Sequence, residues 1–325
     1  MANLKEVADL AGVAPMTVSR VFNNPDAVKE KPRIKVEAAM KELRYTPIIA
    51  AKSLATNRCG VIDVFIPESI DLSNPFVMHF IAGISSVLSE HYYSFLILRN
   101  RNREHQCDGY IVTGLLKNEI QEFAQFAKDR NRPVVLFGHT DIPEVDCLDV
   151  DNIAGAKVAV SHLIQQGHRK IAMVNVLEDK DYTVDRLEGY KQAMQENRID
   201  FDPNLLLYTP NNVDGGEAAA EELTMRDKVS AVFCATDTIA IGVASKLRNM
   251  GYSIPEDISL VGFDGLGHQL LANPTITTIK QPVYELGMLL ANTLLDRLNG
   301  RKERVNRMVP PTLMIGQSDR KIQSV

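Results

Sequence analysis

The stretch LKEVADLAGVAPMTVSRVFNN, residues 4–24, decides the fold of the beginning of the chain. Apolar residues three and four positions apart share one helix face, and this spacing predicts a first short helix whose inward face consists of Leu4, Val7, Ala8 and Ala11. Gly12 predicts the end of that helix, because glycine readily takes the positive φ found just past a helix. Pro15 predicts the start of a second helix, since the first helical position needs no backbone N–H.

A third helix is predicted over about residues 32–44, with an inward face formed by Ile34, Ala38 and Leu43. Three short helices, the first two joined by a turn that contains glycine, are typical of a helix-turn-helix unit. The sequence therefore predicts an all-α helix-turn-helix domain over residues 1–46. Residues 47–58 are predicted to be a linker that can become helical, a hinge between this head and the rest of the chain.

Charge is distributed unevenly along the 325 residues, although the formal net charge is only −5. Residues 1–60 contain ten Lys or Arg and six Asp or Glu, whereas the rest of the chain contains 26 and 35. A basic head on an acidic body is typical of proteins that read DNA with one domain, because phosphates attract that domain alone.

The composition, 45% hydrophobic and 24% charged, indicates an ordinary soluble globular protein. No apolar run reaches the roughly 18 residues of a membrane span, and the first residues do not form a secretory signal. We therefore expect a cytoplasmic protein without a membrane partner. The four cysteines are scattered without a CxxC pair and the histidines are equally dispersed, so the sequence predicts no metal site and no cofactor.

From about residue 60 onward, strand-like apolar runs alternate with amphipathic helices. The predicted strands are 60–66, 93–98, 109–113, 133–137, 170–176, 231–235 and 259–263. The predicted helices are 76–90, 116–130, 152–166, 183–197, 215–226, 237–250 and 283–299. This alternation predicts an α/β body of two doubly wound lobes, each a parallel sheet covered by helices. We expect a ligand at the carboxyl ends of the strands, in the cleft between the lobes.

The connection between the strands that end at Leu98 and begin at Gly109 is unusually short and polar. A parallel crossover usually contains a helix. About ten extended residues can span the distance, but they leave one face of the sheet uncovered. Either this lobe is unusual, or residues are absent from the chain at this point.

The head resembles the DNA-binding head of the lactose-repressor (LacI/GalR) family of bacterial transcription regulators. The shared pattern V-A-x-x-A-G-V-x-x-x-T-V-S-R-V-x-N occupies residues 7–23, and ELRYTP (42–47) and AAKSLAT (50–56) resemble the family's third helix and hinge. The body contains blocks that recur in the family's order, among them LDVDNIAGAK, DRLEGY, ATDTIAIG, VGFD and TTIKQP. The resemblance covers nearly the whole chain.

The resemblance implies that the body is of the periplasmic-binding-protein type. Its N-terminal lobe would consist of residues 59–149 and 281–309, and its C-terminal lobe of residues 150–280 and 310–325. The carboxyl-terminal part of the chain is thus expected to contribute to both lobes.

The resemblance also implies how the head reads double-stranded DNA. Family positions that touch base edges in the major groove are matched by Pro15, Met16 and Arg20. Positions that contact phosphates and set the register are matched by Thr17, Ser19 and Asn23. Leu54 matches the hinge leucine that wedges into the minor groove at the centre of the operator. Two copies of that wedge are required, so a homodimer on a palindromic operator is implied.

In the body, the resemblance implies a small-molecule effector site. Positions that grip ligand hydroxyls match Arg186 and Asp264, which we expect to face each other across the cleft and to bind a sugar or polyol. Other lining positions are matched by Asn74, Phe76, Thr236, Phe263 and Gln281. Asp237 is expected to cap the helix that begins there.

The sequence thus predicts a transcription regulator, most simply a repressor at the bacterial nucleoid, that is controlled allosterically by a sugar-like effector. A stand-alone sugar-binding protein of the periplasmic-binding type is the alternative, which the basic head and the lack of a signal sequence disfavour. An enzyme is disfavoured because no GxGxxG follows the first strand, and no Walker loop or nucleophile elbow is present.

Overall fold

Apart from the side chains of residues 22 and 23, the computed structural model describes residues 3–23, 28–43, 45, 58–101, 105–226 and 229–322. It divides into two compact units, Met1–Gly60 and Val61–Val325. The predicted hinge, residues 47–58, lies outside the described residues except for its last position. No helix in the described part of the chain is long and apolar enough to cross a lipid bilayer.

The first unit contains the three short helices that the sequence predicts, α1 (Leu4–Ala11), α2 (Pro15–Asn23) and α3 (Glu30–Glu42). Asn3 caps α1 by accepting the Glu6 N–H, and the Glu6 carboxylate accepts the Asn3 N–H in return. Gly12 ends α1 at a φ of 64°, as predicted. The core between the helices consists of Val7, Ala8, Ala11, Val18, Val21, Val36 and Ala39.

The inward face of α3 differs from the prediction. Ile34 is 55% exposed and Ala38 is exposed, so both assignments were wrong, whereas Leu43 packs against the core. The face that packs consists of Val36, Ala39, Met40 and Leu43. These residues have the i, i+3, i+4, i+7 spacing of a helix face, whereas the predicted Ile34, Ala38 and Leu43 are spaced i, i+4, i+9 and do not share one face.

The second unit contains two lobes, each with a six-stranded sheet. The N-terminal lobe contains helices α4 (Pro75–Glu90) and α5 (Lys117–Asp129) and strands β1 (Val61–Phe65), β2 (Ser94–Leu98), β3 (Gly109–Thr113), β4 (Val134–Phe137) and β5 (Val145–Val150). These strands are parallel in the order β5-β4-β3-β1-β2. Strands β1, β3, β4 and β5 are buried almost throughout, which explains why their sequences are mostly apolar.

The C-terminal lobe repeats the same strand order. Its strands are β6 (Ile171–Val176), β7 (Leu206–Thr209), β8 (Ala231–Cys234), β9 (Ser259–Asp264) and β10 (Thr277–Lys280), and its helices are α6 (Asn152–Gln165), α7 (Asp181–Glu196), α8 (Val213–Thr224) and α9 (Asp237–Asn249). The strands are parallel in the order β10-β9-β8-β6-β7. Two doubly wound parallel lobes are what the sequence predicts.

The last part of the chain contributes to both lobes. Helix α10 (Val283–Leu298) packs in the N-terminal lobe, and β11 (Asn306–Val309) pairs in parallel with β5. Strand β12 (Thr312–Met314) then pairs antiparallel with β10 of the C-terminal lobe. The sequence analysis missed five strands, β5, β7, β10, β11 and β12. Four of them have only three or four residues, and in the longer β5 the polar residues Asp146 and Asp149 interrupt the apolar pattern.

The connection between β2 and β3 contains no helix in its described residues, 99–101 and 105–108. The equivalent connection of the C-terminal lobe, between β7 and β8, contains α8, which packs against α9. A cavity of about 610 Å³ lies at this face of the N-terminal lobe, and its wall includes Phe65, Tyr110, Phe123 and Phe126. One sheet face is therefore less covered, as the short connection implies.

Glycines allow the helix pairs of both lobes to approach closely. A Cβ atom on Gly242 of α9 would lie 2.1 Å from the Val213 carbonyl oxygen of α8. A Cβ atom on Gly83 of α4 would lie 2.1 Å from the Tyr284 carbonyl oxygen of α10. A side chain does not fit at either position. These close contacts fix the helices on the two sheets, whose strand ends form the candidate site described below.

Candidate functional site

The exposed face of α2 carries the residues predicted to touch base edges. Pro15, Met16 and Arg20 are exposed, and Met16 has 66% of its surface accessible. Met16 and Arg20 are four positions apart and therefore share one helix face. Val18 and Val21 hold the opposite face in the core. The helix thus presents an apolar side chain and a guanidinium group side by side, which a major groove can accept.

The residues predicted to contact phosphates lie on the same helix. Thr17 and Ser19 are partly buried. The side chain of Asn23 and the whole of Leu54 lie outside the described residues. Their contacts with phosphates and with the minor groove stay predictions.

A second candidate site is a cavity of about 300 Å³ between the two lobes. It lies at the carboxyl ends of strands from both sheets, because its walls include Thr113 of β3, Phe137 of β4 and Asp264 of β9. This is where a doubly wound fold binds its ligand. Its volume lies at the lower end of the range for small-molecule sites.

Arg186, on α7, is 3% exposed and lies in the C-terminal wall of this cavity. Its Nε atom donates to Asn152 Oδ1 at 2.9 Å, and its Nη1 atom donates to the Ala235 carbonyl oxygen. The guanidinium carbon lies 3.7 Å from the Phe263 ring centroid and 4.7 Å from the Tyr182 ring centroid. These contacts fix the guanidinium plane. Nη2 has no hydrogen-bond partner within the described residues and is the donor left for a ligand.

Asp264 ends β9 with a φ of 142°, a conformation that residues with a side chain rarely adopt. Gln281 Nε2 donates to Asp264 Oδ1 at 2.7 Å, and the Asp237 N–H donates to Oδ2 at 3.3 Å. Burial raises the pKa of Asp264 to about 7, although the Arg186 charge opposes that rise. The strand end is therefore strained and its carboxylate is costly to ionise, two features that are common at binding sites.

Arg186 and Asp264 do not face each other across the cleft, so that expectation was wrong. Both belong to the C-terminal lobe, and Nη1 of Arg186 lies 3.8 Å from Oδ1 of Asp264. The reason is topological. Helix α7 follows β6, and Asp264 is the last residue of β9, so both residues lie where the carboxyl ends of the strands of one sheet meet. The two groups form a single polar wall in which a donor and an acceptor lie side by side.

Thr236, and not Asp237, caps α9. Its Oγ1 atom accepts a backbone N–H of the first helical turn at 3.2 Å and donates to Asn211 Oδ1 at 2.8 Å. Asp237 is the first helical residue, and its carboxylate accepts the Gly265 N–H at 2.8 Å and the Thr278 hydroxyl at 2.6 Å. The expectation for Asp237 was wrong by one residue, and Asp237 instead supports the turn that follows β9.

The N-terminal wall of the cavity includes two aromatic rings among apolar and polar side chains. The Phe76 and Phe137 rings contact edge to face, with centroids 5.1 Å apart. Asn74 caps α4 by accepting the Phe76 N–H at 2.9 Å, and it also lines the cavity. Phe263 does not line the cavity, because it is fully buried beneath Arg186. Phe263 therefore positions the guanidinium group from behind.

Comparison with known proteins agrees with this combination of head and cavity. Residues 3–47 match bacterial regulatory proteins of the lacI family, and residues 160–318 match a periplasmic binding protein-like domain. YvdE, an uncharacterized HTH-type transcriptional regulator of Bacillus subtilis strain 168, is 36% identical over 301 residues, which are 92% of this chain and 93% of YvdE. This chain belongs to the LacI family.

Solved structures of LacI-family regulators have the same fold. A complex of the transcriptional regulator CelR with cellobiose has a TM-score of 0.75 at 31% identity, and the match covers 98% of this chain and 100% of the CelR chain. The Lac repressor dimer bound to operator and the anti-inducer ONPF has a TM-score of 0.76 at 26% identity, with 98% of both chains covered. The predicted fold class is confirmed, and the chain is a DNA-binding transcription regulator with an effector-binding body.

This LacI-family cavity also contains residues that the sequence analysis missed. Asn152 orients Arg186, Asn211 binds Thr236, and Tyr182 stacks on the guanidinium group. A signal existed for two of them, because Asn152 comes just after β5 and Asn211 just after β7. It could not be used, since neither strand was predicted.

Proposed function

We propose that this LacI-family protein is a homodimeric repressor that binds a palindromic operator and is controlled by a sugar-like effector in the cavity between its lobes. The observation that carries the proposal is the polar wall of Arg186, Asp264 and Gln281, held by contacts within the protein. The same chain presents Met16 and Arg20 on an exposed helix. An effector-dependent DNA reader needs both features.

The two walls of the cavity support a sugar as the effector class. Arg186 Nη2 and the Asp264 carboxylate offer a donor and an acceptor for neighbouring hydroxyls. Phe76 and Phe137 offer aromatic surface to the apolar side of a ring. CelR, the relative solved with cellobiose, supports the same class. The N-terminal and C-terminal walls would then bind opposite sides of one ligand, which favours lobe closure.

Exposed apolar side chains support a homodimer. Leu96 and Ile97 on the edge strand β2 are 46% and 38% exposed. Leu270 and Leu271, in a short 3-10 helix (His268–Leu271) after β9, are 60% and 84% exposed. Such side chains are typical of protein contact surfaces. Two heads in a symmetric dimer would read the two halves of a palindrome, with Leu54 of each chain at its centre.

Proposed roles in the head follow from chemistry. Arg20 would donate two hydrogen bonds to a guanine, and Met16 and Pro15 would contact an apolar base edge such as a thymine methyl group. Thr17, Ser19 and Asn23 would bind phosphates. The protein would act at the nucleoid in the bacterial cytoplasm and would catalyse no reaction.

Selection of bound sequences from random duplex DNA tests this function. The wild-type protein is expected to recover a palindrome, and Arg20→Ala is expected to lose about 1–3 kcal/mol of discrimination at one base pair of each half-site. Leu54→Ala is expected to weaken selection at the centre. Arg33→Ala is the matched control, because this arginine lies on α3 and pairs with Glu37. Equal losses for Arg20→Ala and Arg33→Ala would contradict the proposed reading helix.

A stand-alone sugar-binding protein is the alternative function, and the same purified chain distinguishes it. That alternative predicts sugar binding by calorimetry together with no recovered DNA motif, in the presence or absence of the sugar. Recovery of a motif whose affinity changes with sugar supports the repressor instead.

A further inference from the structure

One imidazole and two carboxylates meet between the two lobes, beside the effector cavity. His139 follows β4 and Asp149 lies on β5, both in the N-terminal lobe, whereas Asp185 lies on α7 of the C-terminal lobe. His139 Nδ1 is 3.3 Å from Asp149 Oδ2 and 3.8 Å from Asp185 Oδ2. We propose that these three side chains bind one divalent transition-metal ion that joins the lobes, with Zn²⁺ as the best match.

The separations fit a metal ion closely. Zn²⁺ bonds to nitrogen and carboxylate oxygen are about 2.1 Å long, and tetrahedral geometry then places neighbouring ligand atoms about 3.4 Å apart. The ligand atoms of His139, Asp149 and Asp185 all lie within 4.8 Å of one another, so small side-chain rotations close the site. A fourth position stays open for water or for a ligand atom.

The ligand set differs from a patch of surface acids. Imidazole nitrogen selects Zn²⁺ and similar ions over Ca²⁺ and Mg²⁺, which prefer oxygen alone. Asp149 is 5% exposed and also lines the effector cavity. A buried carboxylate that is held beside an imidazole keeps its geometry, because the surrounding strand restricts it.

The charge around the cluster favours a cation. The cluster places two carboxylates, Asp149 and Asp185, beside a single imidazole. The cationic side chains of Lys117 and Arg186 lie near the cluster but are engaged by other partners. Lys117 pairs with Asp181 at 3.7 Å, and Arg186 is held by the contacts described above. A doubly charged ion would balance both carboxylates.

A metal ion at this position would favour the closed arrangement of the lobes, because its ligands come from both of them. If the effector also favours closure, each should raise the affinity of the other by the same factor. This coupling rests on the proposed effector site, whereas the metal site itself does not.

Titration of the full chain with Zn²⁺, by calorimetry and by competition with a chromophoric chelator, tests the site. All proteins carry Cys59→Ser, because Cys59 is the partly exposed thiol of this chain. The background protein, which carries Cys59→Ser alone, is expected to bind one equivalent of Zn²⁺. His139→Gln and Asp185→Asn on this background are each expected to weaken Zn²⁺ binding at least tenfold. Zn²⁺ should raise the Tm of the background protein and not that of His139→Gln.

His105→Gln is the matched control, since His105 Nε2 lies 2.7 Å from Asp63 Oδ1 in the N-terminal lobe, away from the cleft. It should bind Zn²⁺ like the background protein. Circular dichroism and the Tm without metal show whether each variant is folded. The proposal is overturned if the background protein binds no Zn²⁺, if His139→Gln binds it unchanged, or if His105→Gln weakens binding as much as His139→Gln.

The outcomes separate this proposal from the proposed function. Zn²⁺ binding is measured without sugar and without DNA. A protein that binds Zn²⁺ at these residues and selects no operator would keep the metal site and lose the repressor function. A protein that selects an operator and binds no Zn²⁺ would do the reverse.

Discussion

The two lobes of the body share one strand order and differ in what covers their sheets. In the C-terminal lobe, α8 packs against α9 over one face, whereas in the N-terminal lobe α5 covers that face without a second helix in the described residues. Strand β1 nevertheless pairs in parallel with β2 and β3. The parallel order thus does not depend on the crossover helix, as long as other side chains bury the sheet.

Aromatic side chains supply that burial in the N-terminal lobe. The Phe65 and Phe123 ring centroids lie 4.9 Å apart, and those of Tyr110 and Phe123 lie 5.4 Å apart. They cover the sheet close to its surface and leave the cavity above them open. The lobes also differ at the effector cavity, where the C-terminal wall includes Arg186 and Asp264 and the N-terminal wall includes the Phe76 and Phe137 rings. The following substitutions test these differences.

Arg186→Ala should have the largest effect on effector binding, because it removes the donor of the polar wall and the cation beside Asp264. We expect effector affinity to fall at least hundredfold, about 2.7 kcal/mol, by calorimetry with the sugar that binds the wild-type protein. Operator binding without effector should remain. Arg169→Ala, an exposed arginine of the same lobe that donates to the Ile164 and His168 carbonyl oxygens, is the control. An equal loss in both variants would place the ligand elsewhere.

Gly242→Val tests the α8–α9 pair, which has no counterpart at this face of the N-terminal lobe among the described residues. The new side chain would collide with the Val213 carbonyl oxygen, so α8 and α9 must separate. Overpacking of this kind costs about 1–3 kcal/mol, and we expect about 2 kcal/mol from urea unfolding. Asn249→Val, which places the same side chain at an exposed position of α9, controls for helix propensity. Similar stability of the two valine variants would mean that the α8–α9 contact is not tight.

Asp264→Asn should change how stability depends on pH. The pKa of Asp264 is raised from 3.8 to about 7, so the folded protein retains a proton that the unfolded chain releases. The free energy of unfolding therefore falls as the pH rises from about 4 to about 7. In the variant, this fall should be smaller by on the order of 1–2 kcal/mol. Asp237, whose pKa is raised to about 6, leaves part of the fall in place.

Urea unfolding at pH 4.5 and pH 7.5 measures this difference. The variant should be more stable than the wild-type protein at the higher pH and should bind effector less tightly. If the wild-type protein and the variant lost the same stability between the two pH values, Asp264 would ionise normally. The conformation of Asp264, with its φ of 142°, would then be stabilised by something other than a protonated carboxyl group.

Phe126→Ala should have the smallest effect, because Phe126 borders the open cavity of the N-terminal lobe and is only partly buried. We expect a loss below about 1 kcal/mol in urea unfolding. Phe233→Ala, at a fully buried position of the C-terminal lobe, should cost about 3–5 kcal/mol. If the two losses were equal, the face at Phe126 would be covered in solution, and the comparison of the lobes would fail.

Much of this fold could be predicted because its signals are local. Helix spacing, Gly12 and Pro15 predicted α1 and α2, and long apolar runs predicted the central strands. The same rules failed where a choice depended on packing. In α3, several apolar residues were available for the inward face, and contact with α1 selected the stripe that contains Val36 and Ala39.

The sequence by itself determined the helix-turn-helix head and the two-lobed α/β body, because motif spacing and periodicity are properties of neighbouring residues, and its resemblance to the LacI family indicated a transcription regulator. Only the tertiary structure placed Arg186 beside Asp264 in one wall, and only it brought His139, Asp149 and Asp185 together from different lobes. Residues far apart in sequence meet where loops and strand ends converge. That convergence depends on how the lobes pack, and no local pattern in the sequence encodes it.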